Sequence, residues 1–179
     1  MLMETLQSRR SIRAYEDRPV EPEKIERILQ AALLSPSSKG IRPWAFILVD
    51  DPKLLEALAG SKPHGSAFIS GAAFAIVVCA DIEAAAAWIE DCSIAAIDIQ
   101  LAIEEEALGS CWVQIRERKA PDGSSASEYI KRTLSIPDNY EIDAVIAAGY
   151  PAEQKAPYSL ESLQWNKVSR NKFGSEYRR

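Results

Sequence analysis

Histidine is almost missing from this sequence. His64 is the only one in 179 residues, which excludes a multi-histidine metal site and leaves no room for a Ser-His-Asp hydrolase. Neither "EYIKR" nor "GSSAS" supplies a nucleophile elbow. Cysteine is scarce as well. Cys79, Cys92 and Cys111 are odd in number, widely spaced and free of any CxxC pair, so neither a disulfide scaffold nor a structural zinc site is expected and a reducing, cytoplasmic setting is. The longest apolar run, "AAFAIVVCA" at 72–80, falls short of the roughly 20 residues that span a bilayer. "MLMETLQSRR" has no apolar stretch ahead of its charges, so no signal peptide is expected. No GxGxxG follows a strand pattern and no GxxxxGK[ST] occurs, which removes the Rossmann and P-loop readings. Positive charge is in deficit: 21 Lys and Arg against 26 Asp and Glu give a net charge of -5. That balance argues against nucleic acid as a partner without forbidding a local phosphate site.

What is present suits one α+β domain with a real core, since 47% of residues are hydrophobic and 26% charged. A first helix is read in "METLQSRRSI". A second starts near Glu21 or Pro22, carries Ile25, Ile28, Leu29, Ala32 and Leu33 at helical spacing, and ends at Pro36. Strands follow at 44–49 and in "FAIVVCAD", whose lack of alternation implies burial on both faces. "DPKLLEALAG" is a short helix closed by Gly60. The long helix at about 88–108 has one stripe of Ile94, Ile97, Leu101 and Leu108, with Ile99 and Ile103 lying off it. A helix apolar on more than one side is buried in a core, or meets both a core and a partner subunit. Strands at 109–115 and 142–148 enclose one more helix, in "SEYIKRTLSIP". The tail holds Tyr158, Leu160, Leu163, Trp165, Phe173 and Tyr177, too many large apolar groups to stand free, so packing within the subunit or across to another is expected.

One stretch asks for a function. "LQSRRSIRAYEDRPV" at 6–20 places Arg9, Arg10, Arg13 and Arg18 within ten residues of an acidic chain. In helical geometry Arg9 and Arg13 share a face and Arg10 does not. Local sequence leaves two readings open: a solvated basic face, or a fork of donors for a phosphate.

Three segments in order decide between them. "RRSIRAYEDRPV" followed by "AALLSPSSKGIRPWAFILV", then "EEALGSCWV", then "AAGYPAEQK" together resemble the FMN-dependent nitroreductase family. The resemblance spans residues 6–155. It implies a nitroreductase-like three-layer α+β fold, with a mixed central sheet flanked by helices, in a domain-wrapped homodimer. Residues 1–179 would form a single FMN-binding domain, with 156–179 as a packed C-terminal extension. It implies FMN at two interface sites and hydride passing from NAD(P)H to a small planar electron acceptor, a nitroaromatic or quinone, in a ping-pong cycle. No nucleic acid, membrane or metal is implied.

The resemblance also assigns residues. Arg9 corresponds to the phosphate ligand, and Ser11 and Arg13 to contacts with the ribityl chain or the flavin ring. Arg10 belongs to the same segment and is the member most free to vary. Ser37, Ser38, Lys39, Gly40 and Ile41 form a loop laid over the FMN from the other subunit. Gly109 and Ser110 bring backbone to the flavin, and Lys155 is the basic residue after "GYP" that reaches the phosphate. No catalytic residue is implied beyond those that position the cofactor, which carries the chemistry. Lys62 or His64 could offer a polar group near the ring. Trp44, Asp98 and Cys111 read as structural.

The chain departs from the family in three places. The loop reads "KGIRPW" where asparagine and glutamine are usual. "QIRERKAPDGSS" replaces the usual continuation after the third strand. No basic pair precedes "PYSLES". These departures leave the acceptor open, together with enone reduction, dehalogenation or non-catalytic flavin storage by the same fold.

Overall fold

The structure, a computed structural model, describes residues 2–177. In chain order it contains α1 (Leu2–Ser8), α2 (Pro22–Leu34), β1 (Trp44–Val49), α3 (Pro52–Ala59), β2 (Phe74–Asp81), α4 (Trp88–Glu105), β3 (Gly109–Gln114), α5 (Ala126–Leu134) and β4 (Tyr140–Gly149). The four strands form one sheet in the order β1-β2-β4-β3, and every neighbouring pair is antiparallel. What makes the sheet mixed is a parallel bridge from Ser11 to Ser110 on the outer edge of β3. β2 is buried along nearly its whole length, as its unbroken apolar run requires of a central strand covered on both faces.

Three layers result. On one face α2 and α4 set Ile28, Ala32, Ile99 and Ile103 against Ile76, Val78 and Ile146. On the other, α3 and α5 set Leu55, Leu58 and Ile130 against Val77, Val113 and Val145. Local signals place the helices. Asp51 caps α3 by accepting from the backbone N–H of Lys53 and Leu54 at 2.8 and 3.1 Å. Ser125 and Glu128 form a reciprocal capping box on α5. α2 begins with Pro22 and stops one residue before Ser35, its C-cap, because Pro36 cannot continue it. No described helix is long and apolar enough to cross a membrane.

Two expectations change. α1 stops at Ser8, so the arginine segment beyond it is not helical. Leu33, placed on the buried stripe of α2, is 58% exposed, and Leu34 beside it is 83% exposed. α4 has two apolar faces as its sequence implies: Ile99 and Ile103 are fully buried, while Ile94 and Ile97 remain exposed in the single chain. Exposed apolar side chains stand on three helices: Leu2, Met3 and Leu6 on α1, Leu33 and Leu34 on α2, Ile94 and Ile97 on α4. A groove of about 440 Å³ joins this uncovered face, lined by Leu2, Ala31, Leu34 and Leu101 and by the polar Thr5, Asp98 and Glu105. Most of the segment after Gly149 is exposed too, including Leu160, Leu163 and Phe173.

Candidate functional site

The arginine segment is a strap stitched between the start of β3 and the end of β4. The Arg9 N–H makes the last helical bond, to the Thr5 carbonyl at 2.9 Å. Beyond it the Ile12 N–H donates to the Ser110 carbonyl, the Glu16 N–H to the Tyr150 carbonyl and the Ala152 N–H to the Ala14 carbonyl, each at 2.9 Å. Ile12 drives this course by burying its side chain. It lies so close to Gly109 that a Cβ there would sit 2.9 Å from three of its carbons. Tyr15 fixes the next corner. Its hydroxyl lies 2.7 Å from the Ile12 carbonyl and 3.1 Å from the Ala147 carbonyl. Burial pushes its pKa up, so it stays a protonated donor.

Four cations sit on this strap and beside it. Arg9 donates from Nη1 to Oε1 of Gln100 on α4 at 3.3 Å. Arg10 donates to the Ala156 carbonyl and lies 4.5 Å from the centre of the Tyr158 ring. Arg13 lies 5.9 Å from the Phe68 ring centre and next to Cys111, whose thiol burial pushes up. Lys155 donates to the Ser11 carbonyl and pairs with Glu153 at 3.1 Å. Glu153 also accepts from the Arg13 backbone N–H at 2.6 Å, and these contacts hold its pKa below the ordinary carboxylate value. Among the described residues the guanidinium groups of Arg9, Arg10 and Arg13 have no carboxylate partner. A cavity of about 310 Å³ opens between Ser8, Arg10, Ile12, Leu108, Gly109 and Lys155.

The helical placement of Arg9 and Arg13 on one face is therefore overturned. Arg9 closes the last turn of α1 and turns to the α4 side, whereas Arg13, beyond the helix, lies beside Phe68, which packs with the α3 and α5 core. Of the residues singled out from sequence, Arg9, Arg10, Ser11, Arg13, Gly109, Ser110 and Lys155 are gathered at this edge. Ser110 is itself buried, and its carbonyl is taken by Ile12.

The loop of Ser37, Ser38, Lys39, Gly40 and Ile41 stands elsewhere. It is tied to the first turn of α4, where the buried Asp91 accepts from the Ser38 N–H at 2.7 Å through one oxygen and keeps the other without a partner. Asp98, two turns on, accepts from the Ser35 hydroxyl at 2.7 Å. The Ser37 hydroxyl accepts from the Arg42 N–H at 2.8 Å. Lys39 and Arg42 hold φ of 54° and 55°, left-handed conformations that cost a non-glycine residue about 1 to 2 kcal/mol. Asp91 and Gln100 are nine residues apart on α4, which puts the loop anchor and the contact of Arg9 about 13 Å apart along its axis. One chain thus holds its expected site residues in two separate groups.

The other candidates have these surroundings. Asp98 holds Ser35, and Trp44 packs against Phe46 at 5.2 Å between ring centres. His64 is exposed. Lys62 is half-buried, and burial, then the nearby Arg118, lowers its pKa. The roles of Tyr15, Gln100, Glu153 and Tyr158 carry no spacing signal in the sequence. Asp91 had one, as an acid in the first turn of a helix.

The sequence model of the nitroreductase family matches residues 6–63 and 59–150. The chain belongs to the nitroreductase family. Among solved structures, an FMN-dependent nitroreductase from Clostridium difficile R20291 superposes with a TM-score of 0.94 at 46% identity, over 96% of this chain and 99% of that one. Among curated relatives, a protein of Methanothermobacter thermautotrophicus assigned by name to the NADH dehydrogenase/NAD(P)H nitroreductases is 39% identical over 162 residues, 89% of this chain and 82% of that protein. One of Archaeoglobus fulgidus with the same assignment is 34% identical, over 89% of this chain and 90% of its own length.

Proposed function

We propose that this nitroreductase-family chain is an FMN-dependent oxidoreductase that passes hydride from NAD(P)H to a nitroaromatic, quinone or related small planar acceptor. It works as a homodimer with FMN at each of two interface sites. The observation that carries this reading is the set of guanidinium groups without carboxylate partners, gathered at the β3 edge of a chain with net charge -5. Unpaired cations held by the fold await an anion, and a ligand phosphate brings about two charges with oxygens that match the arginine fork. The donor set fits FMN. Arg9 and Lys155 would hold the phosphate, with Arg10 beside them. Ser11 and Arg13 would face the ribityl chain and ring, with Gly109 and Ser110 as the backbone floor. Lys167, Arg170 and Lys172 of the exposed tail are further candidates for the phosphate.

The site would be completed by a second copy, whose Ser37–Ile41 loop would cover the flavin. The uncovered face of α1, α2 and α4 supplies the surface for that copy. The apolar side chains of 156–179 would pack across to it, as an extension of a single domain.

Bound FMN supplies the redox chemistry, accepting and returning hydride in separate half-reactions. The protein's part is to hold the cofactor, orient both reactants and exclude bulk water. No side chain in the arginine strap is placed as a general acid, and water can supply the proton an acceptor takes up.

The deciding experiment is the visible spectrum of the purified protein, titrated with FMN and then exposed anaerobically to NADH or NADPH. Flavin bound at one per chain and bleached by either nucleotide is the expected result. A protein that binds no FMN would end this reading. One that binds FMN and leaves it oxidised with both nucleotides would be a flavin carrier instead.

A further inference from the structure

We propose that Arg42, with Lys39 beside it, recognises the phosphate groups of the nicotinamide dinucleotide, acting from one subunit over the flavin site of the other. This deepens the proposed function and rests on its placement of the loop. Three observations carry it.

The first is charge. Lys39 and Arg42 are exposed, and among the described residues neither charged group has an ion pair or hydrogen bond. Arg18, Arg27, Lys131 and Arg132 pair with carboxylates; among the described residues Lys39 and Arg42, like Lys53 and Lys119, do not, but the first two share one loop in an acidic chain.

The second is that the loop is preformed. Both residues are left-handed, and Arg42 stands before Pro43, a position normally pushed to extended backbone. The turn is nonetheless held by the Gly40 and Ile41 N–H bonds at 3.0 and 3.1 Å, by the Arg42 N–H on Ser37, and by Asp91 gripping Ser38. The loop therefore presents its two cations without first having to order its backbone.

The third is the charge each ligand brings. The FMN phosphate already has Arg9, Arg10 and Lys155 for partners. Nitroaromatic and quinone acceptors carry no obligatory anion. Of the reactants that come and go, the dinucleotide is the one with obligatory phosphate charge, in its pyrophosphate and, in NADPH, in a further phosphate on the ribose. A planar guanidinium is the donor that phosphate oxygens fit best.

The test uses the FMN-loaded protein and titrates NADP⁺ and NAD⁺ by calorimetry, for the wild type and for the double variant Lys39→Gln/Arg42→Gln. Glutamine removes the charge and keeps a polar, hydrogen-bonding side chain. The expected result is binding of NADP⁺ weakened about tenfold or more. A smaller loss for NAD⁺ would assign the ribose phosphate, and an equal loss the pyrophosphate. In the wild type, the Kd for NADP⁺ should also rise steeply with salt, as for exposed ionic contacts. Unchanged nucleotide affinity in the double variant overturns the proposal, as does a salt-independent Kd in the wild type. A loss confined to FMN affinity does the same, because it would assign the cations to the cofactor. Wild-type protein that fails to bind FMN, or is bleached by neither nucleotide, defeats the functional reading itself; a bleaching wild type with an indifferent double variant defeats only this inference.

Discussion

Arg9, Arg10 and Arg13 stand within five residues yet meet three different environments, so their substitutions should separate. Arg9 reaches only the neutral amide of Gln100, and its charge is free for a ligand. Arg9→Ala should weaken FMN binding by about 1.5 to 3 kcal/mol, the range for a hydrogen bond to a charged group. Fluorescence titration of FMN into apoprotein measures it, and an unchanged affinity would remove Arg9 from the phosphate site. Arg10 is already engaged by the Ala156 carbonyl and the Tyr158 ring, so Arg10→Ala should cost clearly less. Gly109 offers a test of the strap rather than the ligand. A Cβ there would press within 2.9 Å of three Ile12 carbons, and Gly109→Ala should cost about 1 to 3 kcal/mol of stability, the usual penalty of overpacking. A melting temperature equal to wild type would mean that Ile12 yields freely. The arginines were legible in the sequence as a group because their density is local. Their separate directions were not, because these follow from where Ile12 and Tyr15 attach the strap to β3 and β4.

At the scale of the element, β4 contains an irregularity with a chemical consequence. Its register to β2 shifts between Val78 and Cys79, leaving Asp143 as the extra residue between Ile142 and Ala144. The side chain is buried, accepts from the Ser93 hydroxyl at 3.2 Å and lies 4.0 Å from Nε of Arg116, with the Cys92 thiol nearby. Burial pushes its pKa above the ordinary carboxylate value, against the weaker pull of Ser93 and Arg116. A carboxyl raised in the folded state favours folding fully below its unfolded pKa of 3.8. That contribution is lost as pH rises through the folded value. Asp143→Asn has no such proton to lose. Its melting temperature relative to wild type should therefore climb as pH rises from about 4 to 7. Parallel melting curves over that window would show that Arg116 already compensates the charge. Elements of this kind mark the limit of sequence reading. β1 and β2 matched their expected bounds because apolar runs flanked by turn residues are local signals. The bulge, the early end of α1 and the parallel bridge at Ser11 depend on pairings between distant segments, which no local pattern encodes.

For the whole molecule, the same apolar side chains that look misplaced in one chain are consistent in two. Leu34 is 83% exposed and Ile97 37% exposed on the uncovered face, and Phe173 is fully exposed in the tail. A stable interface buries about 1,200 to 2,000 Å², and the face formed by α1, α2 and α4 with the tail offers apolar surface for one. The sequence of the long helix left two outcomes open, burial in one core or a core and a partner; the exposure of Ile94 and Ile97 beside the buried Ile99 and Ile103 removes the first for the single chain, and the identity of a covering surface could not be read from a local pattern. In the proposed dimer the Ser37–Ile41 loop of one chain and Arg9 of the other would meet on one flavin. Leu34→Glu tests both statements at once. In a folded monomer so exposed a position tolerates a charge within about 0.5 kcal/mol, whereas buried in an interface the carboxylate would lie desolvated without a partner. The expected outcome is a protein with native circular dichroism that sediments as a monomer and has lost its flavin absorbance. A Leu34→Glu protein that remains dimeric and yellow would place the interface on another face. One that turns monomeric and keeps FMN at wild-type affinity would show that a single chain completes the site without the loop of its neighbour.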